Sequence, residues 1–157
     1  MRFGSPDEPS GKIADTIRRF ELLIDLVRTT ARTLVGADGV TFVLRDGDFS
    51  YYVEEDAVGP LWKGQRFLSS QCVSGWVMTH AEPAVIPDIY QDPRVPIEAY
   101  RNTFVRSMAM VPIGAENPVG AIGAYWATPH RATDTEINLL VALAQSALTA
   151  AGPGAPE

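Results

Sequence analysis

Arg106-Ser-Met-Ala-Met-Val-Pro-Ile113, Gly114-Ala-Glu-Asn-Pro118 and Val119-Gly-Ala-Ile-Gly-Ala-Tyr-Trp-Ala127 are consecutive, and their reading decides the fold. Two apolar runs of strand length flank a short segment rich in Gly, Asn and Pro, the pattern of a β-hairpin. Neither run alternates with polar residues. Both faces of the hairpin are therefore expected to be covered by protein, which places it in the middle of a sheet. The rest of the chain then serves as cover for one face or the other.

The chain of 157 residues suits one domain with a substantial core. The expected division is a mobile segment over 1–10, the domain over 11–151 and a flexible tail over 152–157. Apolar residues make up 46% and charged residues 20%, as in ordinary globular proteins, and the net charge is −6. Without a dense Lys/Arg run there is no footprint for a phosphate backbone, so nucleic acid is not an expected partner. No apolar stretch is long enough to span a bilayer, and Met1–Pro9 has no apolar signal core. The expectation is a cytoplasmic domain without a membrane partner. Cys72 stands alone, which excludes an internal disulfide and a cysteine zinc cage. His80 and His130 are too far apart in sequence to suggest a metal site.

Ahead of the hairpin, a helix is predicted over Gly11–Val35. Ile13, Ile17, Phe20, Ile24, Val27, Ala31 and Leu34 follow a strict four-three spacing, that of an a/d heptad seam. Leu22, Leu23 and Leu26 widen the apolar face. One reading has this helix pack on its own sheet and on a partner helix; the other has a single broad stripe facing the core. Gly36 sits where a left-handed C-terminal residue belongs. Val40–Leu44 and Phe49–Val53 read as strands joined at an Asp-Gly turn. Glu54-Glu55-Asp56 reads as a solvated acidic run, and Ala57–Gln71 as an irregular loop with one short strand. Ser74 is expected to cap a short helix that places Trp76 and His80 one turn apart. Ala84–Ile86 is a short strand, and Pro96 opens a helical stretch over Ile97–Phe104. After the hairpin, Thr133-Asp-Thr-Glu136 is a capping box, and its helix carries Ile137, Leu140, Val141, Ala144, Leu148 and Ala151 on one face.

The order helix, hairpin, irregular crossover, hairpin, helix carries a family resemblance. With it go Cys72-Val-Ser-Gly-Trp-Val-Met78, Pro83-Ala-Val-Ile-Pro-Asp-Ile89, Ser107–Ile113, Val119–Trp126 and Thr133–Leu140. Over roughly residues 11–150 the chain resembles a GAF domain, of the type attached to bacterial sensor histidine kinases and related signalling proteins. The resemblance implies an α+β fold with a central antiparallel sheet of five or six strands. It implies terminal helices packed on one face, where they commonly form a dimer bundle. Short helices and loops would roof a small-molecule pocket on the other face. The same scaffold hosts unrelated functions, so the resemblance does not choose a ligand or cofactor.

On that fold the pocket is expected to draw on Trp76, His80, Tyr90, Tyr100, Phe104, Arg106, Met108, Met110 and Tyr125. Aromatic and methionine walls suit a flat ligand. The competing reading is that these side chains fill a closed core. Arg94, Arg101 and Arg106 offer guanidinium groups to an anion, while Asp88, Asp92 and Glu98 lie close enough in sequence to neutralise them. The Asp-Ile-Pro stretch and Cys-His pair of bilin-binding GAF domains are absent, as is the Asn-Lys-x-Asp-Glu pattern of those that bind cyclic nucleotides. Haem needs an axial side chain, for which His80 is the one plausible donor. Free methionine-R-sulfoxide reductase shares the fold, but its chemistry needs a second, resolving cysteine. The sequence therefore predicts a non-catalytic sensory domain that dimerises through its terminal helices and signals to an effector such as a histidine kinase. The alternative class is a dimerisation module without a ligand.

Overall fold

The computed structural model describes residues 10–152. Apart from Ser10 and Gly152, the expected mobile segment and tail lie outside them. Six strands form one antiparallel sheet in the order β3-β2-β1-β6-β5-β4. They are β1 (Gly39–Asp46), β2 (Phe49–Ala57), β3 (Arg66–Leu68), β4 (Ala84–Ile86), β5 (Ser107–Ile113) and β6 (Gly120–Trp126). β5 and β6 are the predicted hairpin, in register from Ser107 opposite Trp126 to Ile113 opposite Gly120. Every residue of β6 is buried, as an unalternating apolar run requires.

One face is covered by helices α1 (Gly11–Arg19), α2 (Glu21–Thr29), α3 (Ala31–Val35) and α6 (Asp134–Ala151). The predicted Gly11–Val35 helix is thus divided at Phe20 and Thr30. Phe20 leaves helical geometry at φ −104, ψ 25, and its ring meets Phe42 at 5.6 Å. Near the second break the Thr29 hydroxyl donates to the Asp25 carbonyl at 2.7 Å, a back-bond that bends helices. The stripe facing the sheet is Ile13, Phe20, Leu23, Val27, Ala31 and Val35. Most of the heptad positions are therefore used inside the chain, while Leu22 and Leu34 stay exposed. Gly36 is left-handed as expected, at φ 80. The capping box of α6 forms: the Glu136 amide donates to Thr133 Oγ1 at 3.1 Å, and the Thr133 amide to Glu136 Oε1 at 2.7 Å.

The other face is covered by the crossover, with helices α4 (Val73–His80) and α5 (Ile97–Tyr100). α5 stops four residues before the predicted end, where the Thr103 amide and hydroxyl both turn back to the Tyr100 carbonyl. Side chains along each strand divide between the faces. In β5, Ala109, Val111 and Ile113 join the helix side, and Met108 and Met110 join the crossover side.

An extra residue in β2 changes the phase. Phe42 pairs with Glu54, but Val43 pairs with Tyr52, so Val53 forms a bulge. Tyr52 consequently joins the crossover side, while Glu54 meets Arg28 of α2. The acidic run is not a solvated stretch. Glu54 is buried and accepts from Arg28 Nε at 2.6 Å and Lys63 Nζ at 2.7 Å. Asp56 pairs with Arg32 of α3 at 3.2 Å. Glu55 accepts from the amides of Leu61, Trp62 and Lys63 at 2.8–2.9 Å, fixing the loop that the sequence left irregular.

Candidate functional site

Glu55 holds the 61–63 loop so that Trp62 enters the space between sheet and crossover. Its ring lies 4.6 Å from Tyr100, 5.5 Å from Tyr125 and 5.6 Å from Tyr52, and its Nε1 donates to the Ala99 carbonyl at 3.0 Å. Tyr100, Met108, Met110 and Tyr125 of the expected pocket are brought together here, all buried, and they pack around Trp62. Tyr100 donates to Met108 Sδ at 3.5 Å. Gly123 makes room for this packing: a Cβ there would lie 2.6 Å from Met110 Cε and 2.7 Å from the Tyr125 hydroxyl. Phe104 packs at the edge of the cluster, half-buried.

The polar groups of this chamber satisfy one another. Thr41 Oγ1 and the Tyr125 hydroxyl lie 2.9 Å apart. A chain then runs from Tyr52 to Ser74 at 3.2 Å, Ser74 to Cys72 Sγ at 3.3 Å, Cys72 to Ser50 at 3.5 Å and Ser50 to Ser69 at 3.0 Å. Ser74 is thus a core partner within α4, not its cap; the N-cap position is Cys72, whose side chain does not cap the helix. Burial first, and the neighbouring phenol and thiol groups second, push Tyr52 and Tyr100 well above the usual phenol range. Burial likewise raises Tyr125. All three are neutral hydroxyls at ordinary pH.

Trp76, half-buried, packs against this cluster from outside, and His80 is exposed. α4 turns Val73, Ser74, Val77 and Met78 inward and presents Trp76, Thr79 and His80 on its outer side. There it lines a cleft of about 530 Å³ with Ser69–Cys72 on one side and Pro93–Pro96 on the other. The rings of Trp76 and His80 stack at 4.4 Å, and His80 Nδ1 lies 2.9 Å from the Trp76 carbonyl. The Arg94 guanidinium lies 4.4 Å from the Trp76 ring centre. Gly75 lets the wall close: a Cβ there would lie 1.7 Å from the Ser69 carbonyl. Tyr90 is exposed, with the Arg106 guanidinium 5.4 Å from its ring. The nine expected residues therefore divide between a filled chamber, an outer cleft, and exposed Tyr90 beside half-buried Arg106.

The three arginines meet the carboxylates near them in sequence. Arg94 grips Asp92 with two nitrogens at 2.9 and 2.7 Å. Arg101 pairs with Glu98 at 2.6 Å, and Arg106 with Asp88 at 3.7 Å. The bond from Arg94 holds the Asp92 carboxyl below the usual carboxylate range, against the burial that raises it. Tyr52, Trp62 and Gln71 were not singled out by the sequence. Trp62 stood in a loop without periodicity, and Tyr52 beside a bulge that periodicity does not reveal.

The GAF domain family matches residues 19–150. The chain belongs to the GAF domain family. Its six-stranded antiparallel sheet with helices matches the fold of solved GAF domains. The blue-light absorbing form of the PixJ GAF domain from Thermosynechococcus elongatus is 21% identical, covering 87% of this chain and 84% of that one, with TM-score 0.68. GAF-B of DevS from Mycobacterium smegmatis is 17% identical, covering 87% and 93%, with TM-score 0.65. The type II free methionine-R-sulfoxide reductase from Thermoplasma acidophilum is 9% identical, covering 87% and 94%, with TM-score 0.72. At these identities the likeness is one of fold. Curated proteins give no sequence match. Among the described residues no helix is long and apolar enough to cross a membrane.

Proposed function

We propose that this GAF domain is a non-catalytic sensory module, in which a small molecule in the α4 cleft biases the packing of a homodimer. The observation that carries the reading is the bonded chain Ser69–Ser50–Cys72–Ser74–Tyr52. It starts at the wall of the cleft and ends beside Trp62 in the core, so a shift of the wall is felt at the sheet. The GAF domains of PixJ and DevS support a sensory role by analogy. Against catalysis of the reductase type stands the single thiol, buried at Cys72.

The dimer reading has its own support. From Ile137 to Gly152, α6 carries no charged residue, although its outer flank is exposed. That flank and Leu22, 48% exposed, border a groove lined also by Ala142, Ser146 and Ala150. An uncharged flank of small side chains suits close contact with the same helices of a second copy. An effector such as a histidine kinase, in a two-component system of the cytoplasm, would read the change in packing. A dimerisation module without a ligand is the second reading, favoured by the chamber that Trp62 fills.

Sedimentation tests both. Wild-type protein is expected to dimerise, and Leu22→Glu to be monomeric at the same concentration. Thr79→Trp, which fills the cleft, is expected to change the dimer dissociation constant by about fivefold or more, the lower range of allosteric coupling. A wild-type monomer breaks the dimer reading. An unchanged constant in Thr79→Trp leaves only the module without a ligand.

A further inference from the structure

We infer that the α4 cleft selects neutral, planar ring compounds carrying an N–H or O–H donor; this rests on the cleft being the sensory site proposed above. The walls are the stacked Trp76 and His80 rings and the apolar side chains of Val95 and Pro96, which suit a flat apolar body. The polar groups are mostly committed already. Arg94 is held by Asp92 through two bonds, so its charge is answered within the protein. Among the described residues no carboxylate lines the cleft to receive a cation. Anions and cations both lose by this arrangement.

Beside the Ser70 and Thr79 hydroxyls, which serve either role, two lone-pair acceptors stand at the cleft. Gln71 lines the cleft, and its Oε1 is buried behind that wall with no partner among the described residues. A buried amide oxygen left unpaired costs about 1–3 kcal/mol, so a donor that reaches it is favoured. His80 supplies the other. Its Nδ1 faces the Trp76 carbonyl, which only accepts, so Nδ1 carries the proton. In the neutral ring Nε2 then holds a lone pair, and the ring is exposed at the cleft. An aromatic wall beside two acceptors matches a donor-bearing heterocycle or phenol.

Four probes test this on the whole chain: indole, 1-methylindole, benzoate and benzamidine. Each is titrated into isotope-labelled protein while the amide signals of α4 and the Trp76 side-chain N–H are followed by NMR. Indole is expected to give saturable shifts at Trp76, Thr79 and His80. Methylation of its nitrogen removes the donor and is expected to weaken binding about tenfold. In Gln71→Leu the gap between indole and 1-methylindole should shrink to about twofold or less. Equal binding of the two in wild type overturns the inference. So does tighter binding of benzoate or benzamidine, or no saturable shift with indole up to about 5 mM. Any of these leaves the Thr79→Trp sedimentation result standing, so loss of the ligand chemistry is distinguishable from loss of the sensory reading.

Discussion

Met108 and Ala109 are neighbours in one strand, yet they enter two cores of different chemistry. On the helix side the sheet meets Leu, Ile, Val and Ala with the Phe20–Phe42 pair, Trp126, and ion pairs at the edge. On the crossover side it meets Trp62, three tyrosines, two methionines, a thiol and several hydroxyls. The first is stabilised mainly by apolar area, with ion pairs at its rim. The second also depends on each hydroxyl finding its partner, since an unpaired one costs more than a bond contributes. Shape governs the helix side, and bonding pattern governs the crossover side.

The largest effects come from cutting into either core. Leu23→Ala on the helix side should lose about 2–5 kcal/mol, and Trp62→Ala on the crossover side about 3–5 kcal/mol, by urea unfolding. If Trp62→Ala costs under about 1 kcal/mol, the chamber is not a packed core and the contrast fails. Next comes base. The folded phenols titrate above their unfolded range, so their stabilisation is complete below about pH 10 and drains away as pH rises beyond it. Tyr125→Phe should flatten that alkaline fall, whereas Leu23→Ala should shift the whole pH curve without changing its slope. An unaltered slope in Tyr125→Phe removes the phenol from the explanation.

Acid probes the rim of the helix side. Burial raises the Glu54 carboxyl, but the bonds from Lys63 and Arg28 outweigh it and set it below the usual range. Its contribution is present above the unfolded carboxylate range and is lost as pH falls through the lowered folded value. Glu54→Gln should cost about 1–2 kcal/mol at neutral pH and almost nothing in strong acid. A cost independent of pH would assign its role to packing alone. Smallest is Tyr90→Ala: 54% exposed, Tyr90 belongs to neither core, and thermal melts should move by less than about 0.5 kcal/mol.

The helix side was legible because periodicity encodes it. Ser107–Ile113, Gly120–Trp126 and the Thr133 capping box stand where the pattern put them. The breaks at Phe20 and Thr30 escaped because a four-three spacing continues through a bend that only tertiary packing requires. The crossover side was legible in its residues and not in their arrangement. Tyr100, Met108, Met110 and Tyr125 share one cluster as expected. Trp62 takes its place there through bonds to Glu55, whose role no local pattern announces. The Val53 bulge hides which residues of β2 face which side. Trp76 and His80 are one turn apart as predicted, but α4 has two usable sides and sequence does not say which one the rings take.

The sheet ends in β3 and β4, each three residues long, and β4 stands between Pro83 and Pro87. Each terminal strand therefore offers about 10 Å of backbone, too short a template for another chain to copy. A domain that carries two almost wholly buried apolar strands through its centre is a hazard while it folds. Once closed, it shows neighbouring molecules almost nothing to polymerise on, and crowding many copies at one cellular location becomes safe.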